Sequence, residues 1–208
     1  MADEPIFVVD DDDAVRESLA ALLDTAGYRT ESYASGTAFL DALDAGAGAC
    51  ACVVLDIRMP GPDGLEVQRR LNARGAPLPV VIVTGHGDVA MAVQAMRAGA
   101  VDFIEKPVAR DRLLESVARA VDAGRDARRD ASERAAIAAR LETLTARERE
   151  VLGLLVIGHP NKVAAHALGI SPRTIEIHRR NVMAKLAARS LSHLVRMAIA
   201  AGIEPSGG

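Results

Sequence analysis

The chain has no Trp, two Tyr, three Phe and only two Cys among its 208 residues. Half of the residues are nevertheless hydrophobic, so we expect a core built from Val, Ile, Leu and Ala. Cys50 and Cys52 are too close in sequence to form a relaxed disulfide, and two cysteines are too few for a zinc cluster. We therefore interpret them as small core residues in a reducing compartment.

No hydrophobic run is long enough to cross a membrane, and the stretch Met1–Glu4 is acidic and unlike a signal peptide. We therefore expect a cytoplasmic protein with no membrane partner. The net charge of −3 is small, but its distribution is uneven. Residues 1–121 contain 11 Lys/Arg and 19 Asp/Glu, whereas residues 144–208 contain 9 and 4. An acidic half followed by a basic half indicates two functions, the second involving a polyanion.

The first 121 residues alternate short β-branched runs with longer amphipathic segments, which is typical of successive β-α units. The predicted strands are Ile6–Val9, Arg29–Tyr33, Cys52–Leu55, Val80–Val83 and Val101–Glu105. The predicted helices are Ala14–Ala26, Gly36–Ala45, Leu65–Arg74, Val89–Ala98 and Asp111–Ala123. Five such units predict a parallel sheet that is covered by helices on both faces. Residues 1–121 are therefore predicted to form one α/β domain.

Residues 122–143 are predicted to be a helical linker, because they contain no proline and are rich in Ala and Arg. Small or apolar residues recur in this region at close to a 3.5-residue period, which would suit a helical lever that pairs with a second subunit. Ala and Gly form only a weak helix–helix interface, however, which favours a solvated helical or partly frayed linker. Residues 144–208 predict an all-α domain of four helices. These helices are Ala146–Ile157, Asn161–Leu168, Pro172–Ala187 and Leu191–Ala201.

Polar residues directly follow or end the predicted strands of the α/β domain. They are Asp10–Asp13 after the first strand, Asp56 after the third, Thr84 after the fourth and Lys106 after the fifth. Ligand sites of open parallel sheets form at the carboxyl ends of the strands, so these side chains should converge. Carboxylates in close proximity repel unless they hold a cation, and oxygen ligands favour Mg²⁺. Carboxylates, a hydroxyl and an ammonium group around Mg²⁺ are suited to phosphoryl transfer.

Each of these residues also has a simpler explanation. Acidic residues are common at helix N-termini, where negative charge is favourable. On that basis Asp13 is interpreted as a helix cap and Asp12 as an additional charge. Lys106 before Pro107 would also suit a surface turn, and His86 is interpreted as part of a flexible loop rather than as a metal ligand. The joint placement of the polar residues at strand ends favours the functional interpretation.

Residues 5–121 resemble the receiver domain of two-component response regulators. The motifs that carry the resemblance are Val8–Asp11, Leu55–Gly61, Asp63-Gly64, Thr84-Gly85 and Lys106-Pro107. The resemblance implies a flavodoxin-like doubly wound sheet and a phosphoryl group that Asp56 accepts from a sensor histidine kinase. It implies that Thr84 and Lys106 bind this group, and that Lys106-Pro107 is a cis peptide.

The same resemblance implies which groups hold the metal ion and which report phosphorylation. The ligands of Mg²⁺ are implied to be the carboxylates of Asp10, Asp11 and Asp56 and the backbone carbonyl of Arg58. Thr84 and Phe103 are implied to be a switch pair, in which the aromatic ring rotates inward when Thr84 moves. A core position for Phe103 on the last strand is compatible with that role.

A helix-turn-helix is predicted within residues 161–185. Ala165 is small enough to let two helices approach, Gly169 suits the turn, and Ile175 is a β-branched residue that packs inward. Ser171-Pro172 suits the start of the second helix. Basic residues on that helix could enter a major groove, although charged helix faces are more often merely solvated. The turn signature and the basic charge of this half favour DNA.

Residues 144–203 resemble the LuxR-type helix-turn-helix, and the whole chain is most similar to the FixJ subgroup of such regulators. The motifs include Leu144–Leu152, Arg173–Glu176, His178-Arg179 and Lys185-Leu186, and for the subgroup Asp10–Asp13, Thr84–Val89 and Ser171–Ile177. The residues implied to read base edges are Glu176, Ile177 and Arg180. The residues implied to lie near phosphates are Lys162, Arg173, Thr174 and Lys185. The apolar residues of the last helix implied to pair two such domains are Leu191, Leu194, Val195 and Ala198.

Glu176 stands where many relatives carry Lys, so a cytosine amino group is a candidate for its partner. Taken together, the sequence predicts a regulator in which phosphorylation of Asp56 promotes dimerisation and binding to double-stranded promoter DNA. RNA polymerase is a further expected partner, and the dimer is expected to form through residues 89–105.

Two other functions are compatible with parts of this pattern. An aspartyl-phosphate phosphatase or phosphotransferase of the haloacid-dehalogenase type needs a second Asp two residues after its nucleophile. Arg58 stands at that position and cannot act as an acid or base. A DNA-binding protein whose receiver works without phosphate is the other alternative, and the intact set of Asp11, Asp56, Thr84 and Lys106 argues against it. The sequence therefore predicts a regulator rather than an enzyme.

Overall fold

The computed structural model describes residues 4–74, 78–85 and 89–203, and it divides the chain into two compact units, Met1–Ala127 and Arg128–Gly208. The loop predicted at His86 lies outside the described residues. The predicted domain boundaries, after residues 121 and 143, stay predictions. Within the described ranges, no helix is both long enough and apolar enough to span a bilayer.

The first unit is a five-stranded parallel sheet in the order β2-β1-β3-β4-β5. Its strands are β1 Ile6–Val9, β2 Thr30–Tyr33, β3 Cys52–Leu55, β4 Val80–Thr84 and β5 Asp102–Glu105. Its helices are α1 Asp13–Thr25, α2 Gly36–Asp44, α3 Gly64–Ala73, α4 Val89–Arg97 and the first part of α5 Arg110–Glu142. This order is that of flavodoxin-like doubly wound folds, so the predicted fold class is confirmed.

The sheet separates two apolar layers because successive side chains of a strand point to opposite faces. On one face, Phe7 and Val9 of β1 join a core that includes residues of α2, α3 and α4. On the other face, Ile6 and Val8 join a core with residues of α1 and α5. All four of these strand residues are completely buried. Burial on both faces explains why the strand sequences are continuously apolar.

Helix α1 is capped by Asp12, whose backbone is extended with φ −80° and ψ 112°. The Asp12 carboxylate accepts hydrogen bonds from the backbone N–H groups of Ala14 and Val15, at 2.9 and 3.1 Å. The prediction of Asp13 as the cap is therefore wrong by one residue. Asp13 already lies in the helix, and its carboxylate pairs with Arg16 one turn later.

Helix α5 runs without interruption through the predicted linker to Glu142. A Cβ atom on Gly124 would lie only 2.9 Å from Pro79 Cγ and 3.0 Å from the Ala51 carbonyl oxygen, so this helix position packs tightly against the first unit. Further along, Ile137 is buried in the core of the second unit. The segment is therefore helical rather than frayed, because each end of it packs against a core. Pairing with a second subunit stays a prediction.

The second unit contains α6 Ala146–Val156, α7 Asn161–Leu168, α8 Pro172–Lys185 and α9 Leu191–Ala200. These four helices confirm the predicted all-α fold of this half. Its core includes Ile175 of α8 and Leu194 and Ala198 of α9. The prediction that Leu194 and Ala198 form an outward pairing face is therefore wrong, because both side chains fill the core of their own unit. Leu191 and Ile199 are the large apolar residues that α9 exposes.

Candidate functional site

The carboxyl ends of the strands bring the predicted polar residues together. Asp10 follows β1, Asp56 follows β3, Thr84 ends β4 and Lys106 follows β5. The Lys106 ammonium lies 2.7 Å from Asp10 Oδ2 and 3.2 Å from Asp56 Oδ1. Asp10, Asp56 and Thr84 are all buried. Two buried carboxylates that share one ammonium are costly to desolvate, and such arrangements are frequent at functional sites.

Asp11 completes an acidic cluster at the rim of this pocket. Asp10, Asp11 and Asp56 each offer a carboxylate oxygen, and these oxygens lie within 4.8 Å of one another. Asp11 is exposed, whereas the other two are buried. An all-oxygen set that is partly open to solvent suits Mg²⁺, which binds through few carboxylates and keeps several waters.

Burial raises the pKa of Asp56, and the neighbouring Asp10 carboxylate adds to this increase. The Lys106 ammonium and the backbone N–H of Arg58, which donates to the Asp56 carboxylate, oppose the increase. Burial would lower the pKa of Lys106, but its contacts with Asp10 and Asp56 outweigh this effect and raise it. Lys106 is therefore a firmly protonated cation beside the two carboxylates.

Two further residues shape the pocket and were not predicted. Arg16 of α1 donates to the Asp10 carbonyl oxygen at 2.8 Å. Gly64 begins α3 directly behind Asp56, where a Cβ atom would lie 2.2 Å from the Asp56 carbonyl oxygen and 2.9 Å from Ile57 Cα. The Asp63-Gly64 motif was the signal for Gly64, but its role follows only from this close approach. No sequence signal would have identified Arg16.

The predicted switch residues lie on β4 and β5, and a backbone hydrogen bond joins Thr84 to Lys106. The Lys106 backbone N–H donates to the Thr84 carbonyl oxygen at 2.8 Å, and Lys106-Pro107 is a cis peptide, as the resemblance implied. Phe103 is half-buried and packs against the same core as α4. On α4 itself, the large apolar residues left exposed are Val89, Val93 and Met96.

The second unit has the local geometry of a helix-turn-helix. α7 ends at Leu168 and is capped by Gly169, which has φ +64°, a left-handed conformation that glycine adopts readily. α8 begins at Pro172, and the Ser171 side chain caps it by accepting from the Thr174 backbone N–H at 3.1 Å. The completely buried side chain of Ile175 anchors α8 to the core. The opposite face of α8 is exposed to solvent and can therefore bind a ligand.

The exposed face of α8 carries the residues predicted to read bases. Arg173, Glu176, Ile177 and Arg180 line one shallow concavity, and the Ile177 side chain is exposed despite being apolar. Arg173 and Arg180 lie within one helical turn of Glu176, yet among the residues that the structure describes its carboxylate has no salt-bridge partner. These side chains are consequently available for contacts outside the protein.

The residues predicted to lie near phosphates differ in their exposure and in their contacts within the protein. Lys162 and Arg173 are exposed, whereas Thr174 is half-buried and shares a hydrogen bond with Ser171 at 2.8 Å. Lys185 at the end of α8 is engaged inside the unit, with its ammonium 2.7 Å from a carboxylate oxygen of Glu148. Among the charged residues of this set, Lys185 is therefore the one with a salt-bridge partner in the described part of the chain.

Two family models match the chain. Residues 6–118 match the response regulator receiver domain, and residues 142–198 match the luxR family of bacterial regulatory proteins. The transcriptional regulatory protein FixJ of Azorhizobium caulinodans is 48% identical over 205 residues, which cover 97% of this chain and 95% of FixJ. FixJ of Rhizobium meliloti is also 48% identical, over 99% of this chain and 100% of its own length.

Solved structures agree with these relatives. Full-length FixJ from B. japonicum is 47% identical, with a TM-score of 0.59 and coverage of 98% of this chain and 100% of that one. The response regulator StyR is 38% identical, with a TM-score of 0.79 and coverage of 94% of this chain and 98% of that one. The chain therefore belongs to the FixJ-like response regulators, transcription regulators that join a receiver domain to a LuxR-type DNA-binding domain.

Proposed function

We propose that Asp56 is the residue through which phosphorylation controls this regulator, and that the modified protein dimerises and binds promoter DNA. The observation that carries the proposal is the Lys106 ammonium, which bridges Asp10 and Asp56 beside the exposed Asp11. A response regulator receives its phosphoryl group from a sensor histidine kinase, and the family implies this partner. We further propose a cytoplasmic location and RNA polymerase as a partner at the promoter.

Asp10, Asp11 and Asp56, together with the Arg58 carbonyl oxygen, are proposed to hold Mg²⁺. When bound, this ion supplies positive charge that neutralises the oxygens of the transferred phosphoryl group. The Asp56 carboxylate attacks the phosphorus atom in line with the leaving group. A P–O bond to Asp56 forms, the P–N bond to the kinase histidine breaks, and its electron pair stays on the imidazole nitrogen. Lys106 stabilises negative charge on the phosphoryl oxygens.

The response to phosphorylation is proposed to run through Thr84 and Phe103. The Thr84 hydroxyl binds the new phosphoryl group, and the half-buried Phe103 ring turns inward into the space that Thr84 leaves. Phe103 packs against the core that it shares with α4, which supports coupling between the pocket and that helix. The exposed apolar residues of α4 are then available to a second copy, since burying such residues favours association.

DNA binding is proposed to occur through the exposed face of α8. Glu176, Ile177 and Arg180 read base edges in the major groove, while Lys162, Arg173 and Thr174 contact phosphates. The free carboxylate of Glu176 suits an amino donor such as that of cytosine, and Arg180 suits the acceptors of guanine. Exposed Ile177 suits apolar contact with a thymine methyl group. Lys185 is also a predicted phosphate contact, but its pairing with Glu148 competes with that role.

Phosphorylated wild-type protein is expected to form dimers and to enrich one sequence from randomised double-stranded DNA. Acetyl phosphate with Mg²⁺ would serve as the phosphoryl donor, and sedimentation velocity would give the mass. Val93→Glu, which places a charge on the exposed face of α4, should keep the phosphorylated protein monomeric. Ile157→Glu, a similar change on an exposed apolar residue of the second unit, should leave the dimer intact. An unchanged mass of the wild type on phosphorylation would rule out this dimer.

Asp11→Asn is expected to abolish the stabilisation that Mg²⁺ gives to the wild type. At an Mg²⁺ concentration of 100 times Kd, this stabilisation should be about 2.7 kcal/mol. In EDTA the variant should melt at or above the wild-type temperature, because it has one charge fewer in a crowded acidic cluster. Thermal denaturation with EDTA or Mg²⁺ measures both effects.

Asp12→Asn is the matched control for this measurement. It removes one charge from the same acidic run, but Asn caps α1 as well as Asp does, and Asp12 is not part of the cluster. The control should therefore gain as much stability from Mg²⁺ as the wild type. If Asp11→Asn melts lower in EDTA and still responds fully to Mg²⁺, Asp11 is not a metal ligand.

Glu176→Lys is expected to change the base pair that the protein prefers, because it replaces a hydrogen-bond acceptor with a donor. A base-contacting side chain of this kind contributes about 1–3 kcal/mol of discrimination. Selection from randomised DNA, with each variant in phosphorylated form, would reveal the new preference. Glu142→Lys makes the same charge change on an exposed residue of α5 and should select the wild-type site. Identical sites for Glu176→Lys and wild type would show that Glu176 reads no base.

A further inference from the structure

The last turn of α8 is tied to the segment that joins α5 to α6. The Lys185 ammonium donates to Glu148 Oε2 at 2.7 Å and to the Thr143 carbonyl oxygen at 3.0 Å. The Lys185 side chain remains 35% exposed, whereas that of Glu148 is only 5% exposed. Two of the three ammonium N–H groups are thus used inside the unit.

Glu148 is a buried charge that several donors satisfy. Its carboxylate accepts from the Thr145 backbone N–H at 2.9 Å, and its own N–H donates to Thr145 Oγ1 at 3.2 Å, which completes the capping box of α6. Hydrogen bonds from Lys185 and from the Thr145 N–H lower the pKa of Glu148 to about 2. Within the described part of the chain, Lys185 is the one cation within 4 Å of this carboxylate.

Apolar and polar contacts at the same place fix the end of α8 further. Leu186, which follows Lys185, is buried in the same core as Ile137 of α5 and Leu144. Six residues before Lys185 in α8, Arg179 donates to the Asn161 side chain at the start of α7, at 3.3 Å. Helix α8 is therefore held to α5 and α6 at its end and to α7 nearer its middle.

We propose that Lys185 is a positioning residue, which sets the orientation of α8 by pairing with Glu148 and forms no ion pair with a DNA phosphate. The proposal rests on the proposed role of α8 in reading DNA. A DNA phosphate would have to compete with the Glu148 carboxylate for the charge of this ammonium, and a buried carboxylate left without its partner is strongly unfavourable. Lys162 is also exposed, but among the described residues it has no salt-bridge partner.

These two roles predict different responses to salt and to sequence. Each phosphate ion pair that is lost reduces the dependence of log affinity on log salt by about one unit and weakens all DNA alike. If α8 is misplaced, the protein keeps its number of phosphate contacts, but the side chains of α8 are no longer aligned with the base edges. If Lys185 positions α8, its loss should reduce the difference in affinity between the selected site and random DNA, and the salt dependence of both affinities should stay unchanged.

The test measures the affinity of the phosphorylated full chain for its selected site and for random DNA of equal length, across a series of salt concentrations. Lys162→Gln is expected to weaken both DNAs and to reduce the salt slope by about one unit. Lys185→Gln is expected to reduce the ratio of the two affinities roughly tenfold with no change of slope. Combining Lys185→Gln with Glu148→Gln, which removes the unpaired buried charge, should recover most of the ratio.

The double variant keeps the test decisive if Lys185→Gln alone fails to fold. An unchanged slope in the double variant supports positioning. A slope reduced as much as in Lys162→Gln, with the ratio of affinities preserved, would overturn the proposal and restore Lys185 as a phosphate contact. Wild-type protein that selects no sequence at all would instead refute the proposed function of α8.

Discussion

Asp56→Asn is expected to accept no phosphoryl group from acetyl phosphate and Mg²⁺, whereas the wild type accepts one. Asn keeps the size of the side chain and its place beside Lys106, but the amide has no carboxylate oxygen to attack phosphorus. Intact-protein mass spectrometry measures the transfer directly. The expected effect is complete loss, and with it the loss of phosphorylation-dependent dimers and of enhanced DNA binding.

Asp63→Asn is the matched control for this experiment. Asp63 lies on the same loop after β3 and caps α3 by accepting from the Glu66 backbone N–H at 2.7 Å. Because Asn caps a helix as well as Asp does, this variant should be phosphorylated like the wild type. Equal labelling of Asp56→Asn and wild type would show that another residue accepts the phosphoryl group.

Gly64→Ala is expected to unfold or distort the receiver domain, although it adds only one methyl group. The new Cβ would lie 2.2 Å from the Asp56 carbonyl oxygen and 2.9 Å from Ile57 Cα, and both are backbone atoms that cannot move aside as a flexible side chain can. Overpacking of a well-filled site typically costs about 1–3 kcal/mol, and a clash with backbone belongs at the upper end of that range. The Asp56 backbone must shift to relieve the clash, so phosphorylation by acetyl phosphate should fall as well.

Gly48→Ala is the control for the substitution itself. A Cβ atom at Gly48 would meet no atom within 4 Å, so this variant should keep wild-type stability and phosphorylation. Urea denaturation gives the two free energies of unfolding. A Gly64→Ala protein that unfolds at the wild-type urea concentration would contradict the close approach on which this expectation depends.

Much of the fold could be predicted because its signals are local. The strands β1 and β3 begin and end at the predicted residues, since each is a short β-branched run buried on both faces. Helix ends are less certain, because they depend on capping contacts. Asp12 and Asp13 are both suitable caps by composition, and only the extended backbone of Asp12 decides between them.

The pocket could be anticipated because one topological rule gathers distant residues. Parallel strands present their carboxyl ends at one edge, so Asp10, Asp56 and Lys106 converge although dozens of residues separate them. The family comparisons confirm the predicted receiver and LuxR-type domains. The roles of the individual residues stay predictions until variants are measured.

Other features depended on how helices pack, which no local pattern encodes. The outward apolar face predicted on α9 was wrong in part, because helical periodicity does not say which neighbouring surface a stripe covers. Leu194 and Ala198 cover the core of their own unit. Similarly, Lys185 and Lys162 carry the same charge and cannot be told apart by sequence. Only the folded structure shows that Lys185 lies beside Glu148 and forms a salt bridge with it.

By itself the sequence determined the order of strands and helices, the charge of each half and the residues that end the strands. Hydrophobic period, turn residues and caps act over a few positions, so they can be recognised without coordinates. Only the tertiary structure decided that Gly64 leaves no room for a side chain behind Asp56 and that Glu148 holds Lys185. Both contacts arise from close packing of elements that meet only in the folded chain, where distances of a few tenths of an ångström decide what fits.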